Sequence, residues 1–123
     1  MKQVIVGRYD LGGEPVIVKL QPGNHAEFAV PFNGTPTVML IGSDVENWGQ
    51  LVGLLMHEAK EFCDTRIGCR YAVTGDVAKD NGSYMFVETH LQHSEVCARV
   101  GWFLADCFLD LSTAWGKWKK AKR

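Results

Sequence analysis

Five consecutive residues carry the chemistry most directly legible in this chain. His57-Glu58-Ala59-Lys60-Glu61 sets an imidazole and a carboxylate four residues apart, with a second carboxylate beside the imidazole. On a helix, residues four apart lie one turn apart on the same face. His57 and Glu61 then form a two-ligand edge for a divalent ion, because zinc, iron and manganese all accept imidazole and carboxylate donors. Glu58 stands next to that edge, where a carboxylate can deprotonate an ion-activated water. His90 and His93 open a later helical segment. His93 is the expected third ligand, with His90 as a fourth or a substitute. The expected cofactor is a divalent metal ion, zinc foremost.

The same residues have plainer readings. A Glu-Ala-Lys-Glu run suits a solvated helix face, and a histidine on an apolar stripe can be a hydrogen-bonded interior side chain. Glu58 lies nearer the apolar stripe of its helix than His57 does. A pairing of Glu58 and Glu61 with the two later imidazoles therefore stays open. His25 has no evident relation to this group.

The elements that must position these residues follow from pattern. Val4–Val6, Pro15–Leu20, Ala26–Val30 and Thr37–Ile41 read as strands. They are separated by Gly12-Gly13, Pro22-Gly23-Asn24 and Asn33-Gly34-Thr35-Pro36, all strong turn signals. The short intervals predict an antiparallel meander, and the apolar fourth run predicts a strand covered on both faces. Ser43-Asp44-Val45-Glu46 matches a capping box and predicts a helix to about Asp64, with Gly68 near its end. Its stripe is Trp48, Leu51, Val52, Leu55, Ala59 and Phe62. Cys69–Thr74 and Ser83–Glu88 predict a hairpin turning at Asp80-Asn81-Gly82. Thr89-His90-Leu91-Gln92 caps a second helix, with His93, Cys97, Val100, Leu104, Cys107, Phe108, Leu111, Trp115 and Trp118 as its stripe and a break near residue 110. The fold class expected is α+β: a β-meander, a long helix, a β-hairpin and a second long helix.

His57-Glu58-x-x-Glu61 resembles a variant of the zincin helix motif, with Glu61 standing where that family has its second histidine. The stretch from Trp48 to Trp118 resembles small phage- or prophage-encoded proteins that carry a His-Glu helix. The resemblance implies a metalloprotease-like helix and a metal-dependent hydrolase in which Glu58 is the general base. The alternative, from a different class, is a non-enzymatic phage or bacterial accessory protein that acts by binding a host protein.

The bulk properties bound these readings. A chain of 123 residues, 46% hydrophobic and 22% charged, fits a single globular domain over residues 1–123. A net charge of -1 gives no global field to draw nucleic acid or anionic membrane. The basic run at the C-terminus around Trp118 reads as a frayed helix end rather than a phosphate-binding segment. No stretch is long enough to span a bilayer and the opening apolar run is too short for a signal peptide, so a cytoplasmic location is expected. The four cysteines form no Cys-x-x-Cys pair and are expected as free thiols, with Cys97 and Cys107 in the core. On the second helix Trp102, Ala98, Ala105 and Leu109 lie opposite the core stripe. Either the N-terminal sheet covers that flank, or two copies meet through Trp102 in a homodimer.

Overall fold

The computed structural model describes residues 2–30, 33–72 and 84–122. Four strands come first: β1 (Val4–Leu11), β2 (Glu14–Gln21), β3 (Ala26–Ala29) and β4 (Thr37–Gly42). A helix α1 (Trp48–Ile67), the small strands β5 (Arg70–Ala72) and β6 (Tyr84–Phe86), and a second helix α2 (His90–Ala121) complete the order. The class is α+β, as the sequence pattern predicts. The turn expected at Asp80-Asn81-Gly82 lies outside the described residues.

The sheet order is β1-β2-β4-β3, and it departs from a meander. β1 and β2 form an antiparallel hairpin in which Leu11 pairs with Glu14. Gly12 and Gly13, at φ 62° and 89°, make its two-residue turn. Two successive positive φ values match the twist of the flanking strands, which is why a Gly-Gly pair sits there. β2 and β4, however, run parallel, and β3 pairs antiparallel with β4 from the far edge. The chain between β2 and β3 crosses the end of β4. Gly42 N donates to His25 O at 2.8 Å, Ser43 N to Gln21 O at 2.9 Å and Asp44 N to Gly23 O at 2.9 Å. Only a glycine fits at position 42, because a Cβ would meet His25 O at 2.5 Å. Turn spacing announced the connection but not which strand it skips. The apolar character of β4 reflects its central place in the sheet. Thr37, Met39 and Ile41 are buried, but Val38 and Leu40 on the other face are only half-buried, so the expected two-sided cover is corrected to one side.

Both helices bury their stripes against that one face. Leu11, Val16, Val18, Leu20, Met39 and Ile41 from the sheet share a core with Leu51, Leu55 and Phe62 of α1 and with Phe103, Cys107 and Leu111 of α2. Each fully buried side chain of this size contributes about 1.5–3 kcal/mol. Phe28 meets Phe62 edge-on at 5.6 Å and ties β3 to α1. Tyr9 meets Phe103 edge-on at 6.1 Å and ties β1 to α2.

α1 begins four residues later than the Ser43 box predicts. Its cap is Asn47, whose Oδ1 accepts from Gln50 N at 2.9 Å. Ser43 is withdrawn from capping because it is buried at the end of β4, where its hydroxyl donates to Ile41 O. The helix ends at Gly68 in a Schellman motif: Gly68 N donates to Thr65 O at 3.2 Å and Cys69 N to Asp64 O at 2.7 Å.

α2 starts with the predicted capping box, Thr89 and Gln92 bonding each other's backbone amides. It runs unbroken through residue 110, contrary to the expected interruption. Its buried set is Val96, Val100, Phe103, Cys107, Leu111, Trp115 and Trp118. Phe103 takes the core place expected of Leu104, and Val96 displaces His93 and Cys97, which are exposed. The buried row of α2 begins at Val96, and the turn before it is exposed. The C-terminal end is docked rather than frayed. Trp115 Nε1 donates to Ser43 O at 3.0 Å, Trp118 Nε1 to Asp44 Oδ1 at 3.0 Å, and Lys122 Nζ lies 2.7 Å from the same carboxylate.

Candidate metal centre

His57, Glu58 and Glu61 converge. One donor atom from each lies within 4.8 Å of the other two. His57 Nε2 is 3.5 Å from Glu61 Oε2 and 4.0 Å from Glu58 Oε1. The three differ sharply in exposure: the side chains of His57, Glu58 and Glu61 are 68%, 7% and 16% exposed. Helix geometry explains the gradient, since Glu58 borders the buried Leu55, Ala59 and Phe62 while His57 projects from the rim.

Two neighbouring carboxylates repel one another, and Arg70 offsets part of that charge. Burial pushes the Glu58 carboxyl above its ordinary value, and repulsion from Glu61 and from Glu27 on β3 adds to the shift, with His57 opposing it. Arg70, on β5, donates to Glu61 Oε1 at 3.0 Å and leaves Oε2 directed at His57. Imidazole plus two carboxylates is a donor set that zinc, manganese or ferrous iron accepts.

His93 and His90 do not join this group, and here the expected ligand set is corrected. His93 Nδ1 lies 3.0 Å from Glu88 Oε1, and its Nε2 is 3.6 Å from Cys97 Sγ. His90 is exposed on the opening turn of α2. That turn precedes the buried row of α2, and the His93 imidazole is engaged by Glu88 rather than by Glu58 or Glu61. Cys97, expected in the core, is exposed with it; Cys63, Cys69 and Cys107 are buried, and all four are free thiols.

Sequence reasoning missed a second cluster. Asp64 at the end of α1, Cys69 just past it and Glu88 before α2 also bring donor atoms within 4.8 Å of one another. Asp64 carries no apolar-stripe signature, and Glu88 is distant in sequence. The signal that could have found them is Gly68, since a Schellman turn folds the next residue back over the last helical turn.

The chain matches no protein-family model, no curated protein and no solved structure. Among the described residues, no helix is long and apolar enough to cross a membrane.

Proposed function

We propose that this protein binds a divalent metal ion, zinc foremost, through His57 and Glu61, with Glu58 beside them as the base. The observation that supports this reading most is the convergence of three donor atoms within 4.8 Å on little more than one helical turn, one of them a nearly buried carboxylate. Two protein ligands with a base beside them leave coordination positions open for water, as catalytic rather than structural sites do. A bound ion there would supply Lewis acidity and an acidified water. Glu58 Oε1 is the atom of this chain placed to take up a proton, which is the role implied by the zincin-like helix. A metal-dependent hydrolase is thus the proposed activity.

The test is the pair Glu58→Gln and His57→Ala. If Glu58 serves as the base, Glu58→Gln keeps the metal and loses turnover on ester or peptide substrates. His57→Ala loses the metal. His57→Ala binding zinc like the wild type, or Glu58→Gln keeping full turnover, would overturn the reading.

A second reading, an accessory protein acting by association, is favoured by the outer face of α2. Trp102 and Leu109 are 75% and 78% exposed. The described sheet does not cover them, and aromatic anchors of this kind are common at contacts between proteins. A homodimer through Trp102, or capture of a host protein on the same face, are the forms this reading takes.

A further inference from the structure

The second cluster holds two buried oxygens that the first does not. Asp64 is fully buried, and its Oδ1 has no hydrogen-bond partner among the described residues. Glu88 Oε2 is buried and equally without one. Buried polar atoms are almost always partnered, and an orphaned pair in one place marks a missing ion, water or proton. Cys69, fully buried, completes the group.

Backbone bonds hold the three donors in place before any ligand arrives. The Schellman bond from Cys69 N to Asp64 O, at 2.7 Å, folds the cysteine back over the last turn of α1. Val87 N donates to Cys69 O at 2.9 Å, extending the β5–β6 pairing and setting the next residue, Glu88, beside the cysteine. The opposite oxygens are already used. Lys60 Nζ holds Asp64 Oδ2 at 2.7 Å, and His93 Nδ1 holds Glu88 Oε1 at 3.0 Å. Each carboxylate is thus oriented by an outer partner and presents one free oxygen, the arrangement that second-shell groups produce around metal ligands.

We propose that Asp64 Oδ1, Glu88 Oε2 and Cys69 Sγ form a second divalent-cation site, selective for a borderline-soft ion such as zinc. The thiolate sets the selectivity, since calcium and magnesium take oxygen donors and avoid sulfur. Charge supports it too. Two carboxylates and a thiolate against Lys60 and a divalent ion sum to neutrality, so the lysine balances the site rather than blocking it. On binding, the Cys69 S–H bond breaks, the sulfur electron pair goes to the ion and the proton leaves to solvent. The site goes beyond the His57 group and does not depend on it.

The rival occupant is a proton shared between Asp64 and Glu88, and cobalt distinguishes the two. Tag-free protein is titrated with Co²⁺ and followed in the near ultraviolet, where a thiolate bound to cobalt gives an intense charge-transfer band. The wild type should develop that band and saturate at one equivalent of the thiolate-bound ion. Cys69→Ser should abolish it, and Glu88→Gln should weaken the affinity at least tenfold, with circular dichroism confirming that each variant is folded. His57→Ala should leave the band intact, which separates this site from the first. No band in the wild type, or a band that survives Cys69→Ser, overturns the proposal and leaves the shared proton as the occupant.

Discussion

Asp44 clamps the end of α2 to the connection that crosses β4, and its removal should be felt in a defined pH window. Its carboxylate receives Lys122 Nζ at 2.7 Å, Gly23 N at 2.8 Å and Trp118 Nε1 at 3.0 Å. The Lys122 hydrogen bond, then that of Gly23 and then that of Trp118, lower its pKa from 3.8 to about 2. Asp44→Asn keeps the shape and one acceptor but loses the charge. The group is partly exposed, so the electrostatic loss is discounted for solvent screening to about 1 kcal/mol. In a chain of this size that corresponds to a fall in Tm of about 4 °C. The folded pKa is depressed, so the contribution is present above the unfolded value of 3.8 and lost as pH falls toward 2. Thermal melts of the wild type and Asp44→Asn should differ by that amount near neutral pH and converge across that acid window. A gap that persists unchanged to the acid end, or no gap near neutrality, would refute the clamp.

Three further outcomes are expected. Phe103→Ala should cost about 3–5 kcal/mol in denaturant unfolding, and clearly more than Leu104→Ala, because Phe103 is fully buried and Leu104 only partly. A thiol reagent should label Cys97 alone in the native protein, since Cys63, Cys69 and Cys107 are buried and burial pushes the Cys63 and Cys107 thiols up to about 11 and about 12; rapid labelling of a second cysteine before unfolding would contradict the core assignment. Light scattering should find a dimer in the wild type and a monomer in Trp102→Glu if the exposed face of α2 is an association surface; a wild type already monomeric removes the dimer form of that reading.

What was legible in the sequence was what periodicity and turn chemistry encode locally. The stripe through Leu51, Leu55, Ala59 and Phe62, the stop at Gly68 and the box at Thr89 and Gln92 all stand where pattern placed them. The parallel neighbours β2 and β4 were not legible, because the Pro22–His25 connection announces a turn without saying which strand it skips. Ser43 misled for a related reason: its capping signature is real, but the end of β4 claims the residue first. The first turn of α2 misled in another way. His93 and Cys97 continue a helical row that reads as apolar, yet both are exposed and Val96 takes the inward place. Of the expected site, the half carried by one helix, His57, Glu58 and Glu61, converges, because adjacency within a helix is fixed by its geometry. The half that required two helices to meet in a particular register does not. Asp64, Cys69 and Glu88 depend on a Schellman turn and a strand pairing acting together, which no local pattern displays.

Zinc binding by tag-free protein tests the central claim most directly, measured as bound equivalents by calorimetric titration with elemental analysis after dialysis. The wild type should bind zinc at the His57 group, and His57→Ala and Glu61→Gln should each bind one equivalent fewer while melting as folded proteins. Equal stoichiometry in the wild type and both variants would contradict the metal centre proposed at His57 and Glu61.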